Sequence, residues 1–191
     1  MESVTAMREA LARRLAGSAR VIAGLSDQLD AIARVAGAVV KCLDEGGTLY
    51  TCGNGGSAAE AMHLSEELIG RYRSDRHAKR AVCLNADPAA LTCIANDFGF
   101  ESVFSRQCEA LLEPGDALAV LSTSGESANV VGALRTARAR GATTIGLLGR
   151  GGGAAAPLCD HAVIVADDDA ARIQEAHLVV VHLICEAVES R

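Results

Sequence analysis

Aromatic residues are scarce in this chain: they make up 3% of its 191 residues, and tryptophan is missing altogether. The core must therefore be built from Ala, Val, Leu and Ile, whose small side chains allow close helix packing. Little aromatic surface is left on which nucleic-acid bases could stack. No block of Lys or Arg stands out against a formal net charge of -6, so the basic stripe that marks a nucleic-acid binder is missing. A phosphate ligand stays open, because a site can be locally positive on an acidic protein. No apolar run reaches membrane-spanning length. The N-terminal stretch MESVTAMREALARRLAG mixes charges and lacks the apolar centre of a signal peptide. There are 7 cysteines (Cys42, Cys52, Cys83, Cys93, Cys108, Cys159 and Cys185) and no C-x-x-C pair. An odd, widely spaced set reads as free buried thiols of a reducing compartment. A soluble, cytoplasmic protein is expected.

What is present has order. Half of the residues are hydrophobic and 22% are charged, a globular composition with enough chain for one sizeable core. We expect one domain over 1–191, with a helical pair in 1–46 and an α/β core in 47–191. Val4, Met7, Leu11, Leu15 and Ile22 follow helical spacing. Ser26 is placed to cap a second helix, whose apolar stripe runs through Leu29, Ile32, Ala33, Ala36, Val39, Val40 and Leu43 and stops at Gly46-Gly47. From Thr48 onward, short apolar runs alternate with helical patterns. The runs are Thr48–Cys52, Ala81–Leu84, Ala117–Ser122, Thr144–Leu148 and Ala162–Val165. This is the signature of a doubly wound, mainly parallel five-stranded sheet flanked by helices. The segment from Ala170 to about Glu189 reads as a long helix, apolar over so much of its surface that it must lie deep or at an interface.

Two strand-to-helix turns are suited to anions. After Cys52 come Gly53, Asn54, Gly55, Gly56 and Ser57; after the third run come Ser122, Thr123, Ser124, Gly125, Glu126 and Ser127. Glycines allow close backbone approach, and a helix start offers free N–H groups and a positive dipole end. The ordinary reading of the first turn is a Gly-rich connection capped by Ser57. The ordinary reading of the second is a polar cap, which needs one or two hydroxyls where this turn has four. Neither spacing fits a nucleotide-binding loop, and no nucleotide or organic cofactor is expected. Both turns follow strands, so both belong at the carboxyl edge of the sheet, where open α/β folds bind ligands.

His63 and Glu67 are four residues apart and share a helix face. The pair could ligate a metal, act as acid and base, or form an ordinary surface hydrogen bond. On the last helix Gln174 and His182 are polar in an apolar setting, and burying them without partners would be unfavourable. His177 lies on the apolar stripe and reads as a core histidine. Arg71 could grip a phosphate or cap a helix end. Asn96-Asp97 could touch a ligand or form a turn.

Together, CGNGGSAAEAMHLSEELIGRY, IANDFGFESVFSRQ, STSGESANV and ARIQEAHLVVVHL resemble, in order, the phosphoheptose isomerase family of SIS (sugar isomerase) domain proteins. The resemblance implies isomerisation of D-sedoheptulose 7-phosphate to D-glycero-D-manno-heptose 7-phosphate through an enediol, toward heptoses of surface glycans. It implies Glu67 as general base and His182 as its acid–base partner at the sugar oxygens. It implies one zinc per subunit on His63, Glu67, Gln174 and His182. Ser122, Thr123, Ser124 and Ser127 would hold the phosphate, and Asn54, Gly55, Gly56, Ser57, Arg71, Asn96, Asp97 and Gln174 would meet the substrate. It also implies a homotetramer with sites between subunits. Asp167–Asp169 makes the loop before the last helix acidic, enough to alter the substrate pocket. Competing readings on the same fold are a non-catalytic SIS protein that binds a replication initiator, which lacks the glutamate, and a sugar-phosphate sensor without turnover.

Overall fold

The computed structural model describes residues 4–191. Two helices lead, α1 (Val4–Ala23) and α2 (Leu29–Asp44). The α/β part then runs β1 (Leu49–Gly53), α3 (Gly56–Ile69), β2 (Ala81–Cys83), α4 (Pro88–Phe98), α5 (Ser105–Leu111), β3 (Ala117–Ser122), α6 (Ala128–Ala139), β4 (Thr143–Gly149), β5 (His161–Val165) and α7 (Ala170–Glu189). The five strands lie in the order β2-β1-β3-β4-β5, and every pairing is parallel. From β1 the chain steps outward to β2, and from β3 it steps the other way. The sheet therefore switches direction between β1 and β3, and a crevice opens above their carboxyl ends. The two anion-friendly turns are the exits of those two strands.

The pleat sorts the core into two layers. Leu49, Ala117, Ala119, Leu121, Ile145, Leu147, Val163 and Val165 pack with residues of α2, α3 and α7. Tyr50, Cys52, Leu118, Val120 and Leu148 pack with α5 and α6, including Phe104, Cys108, Val130 and Leu134. With both faces covered, the strands read as near-continuous apolar runs. Each fully buried Leu or Val contributes about 1.5–3 kcal/mol, so the small-residue core the composition called for is sufficient. The thiols mostly belong to that core: Cys42, Cys52, Cys83, Cys108 and Cys185 are buried, Cys159 is half-buried, and Cys93 alone is exposed. Burial pushes the Cys108, Cys159 and Cys185 thiols up to about 12, which leaves them unreactive.

Two expectations change. Ser26 does not cap α2; it sits in a 3₁₀ turn at Gly24–Gln28, where its hydroxyl donates to the Ala23 carbonyl at 2.8 Å. Gln28 precedes α2 instead, and its side chain closes the open edge of β5, donating to Ile164 O at 2.9 Å and accepting from Ile164 N at 3.3 Å. The buried stripe of α2 is Ile32, Val35, Ala36, Val39, Val40, Cys42 and Leu43, with Leu29 and Ala33 outside it. On α1, Val4, Met7, Leu11 and Leu15 are exposed, at 54–82% of their full surface.

The acidic loop also has a structural use. Asp169 caps α7 by accepting Ala171 N at 2.9 Å and Arg172 N at 3.4 Å. It also pairs with Arg14 of α1, while Arg172 pairs with Asp167 at 3.1 Å. Asp169 thereby joins α1 to the start of α7. Guanidinium partners and backbone N–H groups hold both Asp167 and Asp169 below the usual carboxylate range. Among the described residues, no helix is long and apolar enough to cross a membrane.

Candidate active site

The site grows from the pairing of α3 with α7, which lie against each other beneath the sheet edge. α3 is fixed to β1 from below: the buried Thr51 hydroxyl donates to Ala61 O at 2.8 Å and lies 2.8 Å from the Ser65 hydroxyl. Its start is set by glycine chemistry. Gly55 occupies the cap position with a positive φ of 57° and no side-chain cap bond, so Ser57, the cap expected from the sequence, lies inside the first turn. A Cβ on Gly56 would stand 2.4 Å from the Gln174 amide nitrogen; the missing side chain is what lets Gln174 of α7 reach the turn.

At this end, Asn54, Ser57, Leu121, Ser122, Thr123, Ser124, Ser127 and Gln174 line a cavity of about 70 Å³. Ser127 stands at the cap position of α6 but makes no cap bond, so its hydroxyl stays free. Ser122 Oγ accepts Gly125 N at 3.0 Å, and Ser124 Oγ accepts Glu126 N at 3.2 Å. A hydroxyl oxygen engaged in this way leaves its proton available to an oxyanion. The two turns are locked together by a reciprocal amide pair: Asn54 Nδ2 donates to Asn129 Oδ1, and Asn129 Nδ2 to Asn54 Oδ1, both at 2.9 Å. Asn85, after β2, grips Gly53 in the same way, accepting its N–H at 3.1 Å and donating to its carbonyl at 3.0 Å.

The second cluster lies farther down the helix pair. His63 Nε2 is 3.3 Å from His182 Nε2 and 3.3 Å from Glu67 Oε1. The ligating atoms of all three lie within 4.8 Å of one another, a grouping that could hold a metal ion. Glu67 is the more enclosed, with 15% of its side chain exposed against 37% for His63. Tyr72 stacks on His182 with ring centroids 5.6 Å apart. The loop carrying Tyr72 is anchored by Glu189 at the far end of α7, which accepts the N–H groups of Tyr72, Arg73 and Ser74 at 3.0–3.1 Å. Arg76 closes the end of α3 by donating to Glu67 O at 2.7 Å and Leu68 O at 2.9 Å, which satisfies carbonyls that a helix end leaves open.

The structure thus divides the expected residues. Asn54, Ser57, Gln174 and the four hydroxyls meet at one end, with Gly55 and Gly56 forming the turn. His63, Glu67 and His182 meet at the other. Gln174 does not join that trio within one chain. It lies eight residues before His182, about 12 Å away along the helix axis at 1.5 Å per residue, and its amide lies against Gly56. Arg71 is exposed and paired with Asp75. Asn96 and Asp97 sit exposed on α4, bonded to each other at 2.7 Å. His177 is the core histidine it was read as: fully buried, bonded to Leu148 O at 3.1 Å, its pKa lowered to about 4 by burial.

Three contributors went unnoticed in the sequence. Asn129 was in plain view within STSGESANV, but nothing local shows that it pairs with Asn54. Tyr72 carries no motif. Glu60 lies on α3 one turn after Gly56 and one turn before His63; its Oε2 is buried without a partner, and burial raises its pKa to about 7.

Comparison with known proteins now adds the family. The SIS domain model matches residues 15–149. Phosphoheptose isomerase 1 of Campylobacter jejuni subsp. jejuni is 48% identical over 158 residues, covering 83% of this chain and 85% of the relative. The solved phosphoheptose isomerase of Neisseria gonorrhoeae superposes with a TM-score of 0.91 at 38% identity, covering 97% of this chain and all of the other. That of Francisella tularensis superposes with a TM-score of 0.93 at 31% identity, covering 97% and 99%. With its parallel sheet, its hydroxyl-lined turn and its His/Glu cluster, this chain belongs to the phosphoheptose isomerase family of SIS-domain proteins.

Proposed function

We propose that this chain is an aldose–ketose isomerase that converts D-sedoheptulose 7-phosphate to D-glycero-D-manno-heptose 7-phosphate, a step in making heptose precursors of surface glycans. The observation that carries this reading is the coexistence of a phosphate-sized cavity and a carboxylate–imidazole cluster on one helix pair. A phosphate binder without turnover needs only the first, so Glu67 beside His182 speaks against the initiator-binding and sensor readings.

Ser122, Thr123, Ser124 and Ser127 donate to the phosphate, helped by the start of α6. The carboxylate of Glu67 takes a proton from C1 of the ketose. As the C1–H electron pair becomes the C1–C2 double bond of the enediol, His182 delivers a proton to O2 from Nδ1, the ring nitrogen that does not face His63. Return of the proton to C2, with loss of the O1 proton, yields the aldose. A carboxylate has two oxygens, so Oε1 can stay with the histidine pair while the other serves as base.

His63, Glu67 and His182 fit a zinc ion. Ligands about 2.0–2.1 Å from a tetrahedral zinc stand about 3.3 Å apart, the spacing found between His63 Nε2 and each of its two neighbours. When bound, zinc would polarise the substrate carbonyl and stabilise negative charge at the oxygens.

We further propose that the working form is a homotetramer whose sites lie between subunits. The phosphate cavity of about 70 Å³ is well below the roughly 300 Å³ of pockets that enclose a whole ligand. The bare apolar face of α1 also calls for a cover. Residues from another copy would then complete the pocket, and Gln174, Arg71, Asn96 and Asp97 would reach the substrate or metal across that interface. The chain acts as one SIS domain in a soluble, cytoplasmic enzyme.

Purified protein incubated with sedoheptulose 7-phosphate, with and without added zinc, tests the function by NMR of the sugar. A new heptose 7-phosphate signal, stronger with zinc, is expected; no product under either condition rejects the reading. Mixing Glu67→Gln subunits with Arg71→Ala/Asn96→Ala/Asp97→Ala subunits tests the shared site. Recovered turnover in the hybrids is expected, and inactive hybrids reject sites built from two chains.

A further inference from the structure

The Gly-rich segment after β4 reads in the sequence as a plain loop. In the fold it forms the back of the phosphate turn. A Cβ on Gly125 would stand 2.0 Å from the Gly152 carbonyl oxygen, and one on Gly153 would stand 2.4 Å from Glu126 Oε1 and 2.7 Å from the Ser124 carbonyl oxygen. All three glycines have positive φ, so both the backbone angles and the spacing are reserved for glycine. The contact is bonded as well as close. Ala155 N–H donates to Gly125 O at 2.9 Å, and Ala154 N–H donates to Glu126 Oε1 at 3.1 Å. Glu126 in turn sends its own N–H to Ser124 Oγ at 3.2 Å. One residue therefore links the outer segment to a phosphate-turn hydroxyl. Its carboxylate is held on Ala154, away from the cavity lining, where a second negative charge would repel a phosphate.

We propose that Glu126, anchored on the Gly152–Ala155 segment, is a positioning residue for phosphate recognition. It fixes the shape of the turn, leaves the Ser124 proton free to donate, and keeps its own charge outside the cavity. The brace extends a series along the sheet edge: Asn85 holds Gly53, Asn54 holds Asn129, and Glu126 holds Ala154, following the strand order β2-β1-β3-β4. The proposal rests on the isomerase reading of the same site, and its test is arranged to fail separately.

Glu126→Ala, Glu126→Gln and Gly153→Ala are compared with the parent chain in three measurements: the Kd for inorganic phosphate, steady-state kinetics with sedoheptulose 7-phosphate, and hydrogen exchange of the peptide spanning 121–128. Loss of one such hydrogen bond predicts that Glu126→Ala raises the phosphate Kd and KM about fivefold, with kcat within about twofold. It also predicts faster exchange in 121–128. Glutamine keeps an acceptor oxygen and restores all three values. Gly153→Ala, which presses on both Glu126 and Ser124, gives a larger rise than Glu126→Ala. Phosphate affinity, KM and exchange that do not move in Glu126→Ala would overturn the proposal, as would a fall in kcat at constant KM. If phosphate affinity and exchange respond as expected while the parent chain turns over no sugar, the brace stands and the isomerase reading falls.

Discussion

The two ends of the α3–α7 pair are built by different means. At the start of α3, the groups that would meet the phosphate are held by the backbone and by side-chain amides: a positive-φ cap at Gly55, two strand exits, and the amides that pair Asn54 with Asn129 and Asn85 with Gly53. At the other end, His63, Glu67 and His182 face one another from two helices, with no backbone group among their partners. The first end is preorganised and its polar groups are largely paired. The second brings a carboxylate and two imidazoles close together, a grouping that could hold a cation. The difference teaches a division of labour. A rigid turn suits recognition of a fixed tetrahedral anion, and facing carboxylate and imidazole side chains suit moving a proton.

The largest effect should come from the second end. Glu67→Gln is expected to lower kcat by about 10²–10⁴-fold, with substrate affinity within a few-fold, measured by turnover and by titration calorimetry. A comparable loss of affinity would merge the two ends into one function. Next, Ser124→Ala combined with Ser127→Ala should raise KM about a hundredfold, from two lost hydrogen bonds to a charged group, with kcat little changed. Unchanged KM would move the phosphate elsewhere.

The brace between the turns should cost stability before it costs chemistry. Asn54→Ala leaves the buried Asn129 amide short of a partner, a loss of about 1–3 kcal/mol in denaturant unfolding. The double variant with Asn129→Ala should lose less than the two single losses combined. Strict additivity would mean that the pair does not couple the turns.

The remaining effects are those of pH. Burial places Glu60 at about 7, above its unfolded value of about 4.3. Its protonated form is therefore favoured by folding, and stability declines as pH rises from about 4.3 through 7. Glu189 runs the other way. Burial alone would raise it, but the N–H groups of Arg73, Ser74 and Tyr72 and the Ser74 hydroxyl outweigh that and hold it at about 2. Its contribution is complete above about pH 4.3 and is lost as pH falls toward 2. Thermal midpoints across pH should lose the neutral decline in Glu60→Gln and part of the acid limb in Glu189→Gln.

Much of this was legible in the sequence, and the limits are physical. All five strands were marked by apolar runs within one or two residues of their observed ends, because a sheet covered on both faces leaves no polar alternation to confuse the pattern. The serine-turn end was legible because three of its four hydroxyls are consecutive. The other end was only half legible: His63 and Glu67 share a helix face, but nothing in the sequence registers α3 against α7, 119 residues apart at the His63–His182 contact. Gln174 was grouped with His182 through the family resemblance. A row of i, i+4, i+8 shares a face yet spans two helical turns. Asn129 and Glu126 were hidden because their partners come from other strands' loops. The stripe on α1 was correctly periodic, but periodicity does not say what covers it.

The central claim is that Glu67 moves a proton between C1 and C2 of a sugar phosphate held by the serine turn. Its most direct test is conversion of sedoheptulose 7-phosphate in D₂O, followed by NMR, for the parent chain and for Glu67→Gln, each supplied with zinc. The account predicts heptose 7-phosphate carrying deuterium at C2 from the parent chain and none from the variant. A product whose C2 hydrogen never exchanges, formed equally well by Glu67→Gln, would contradict it.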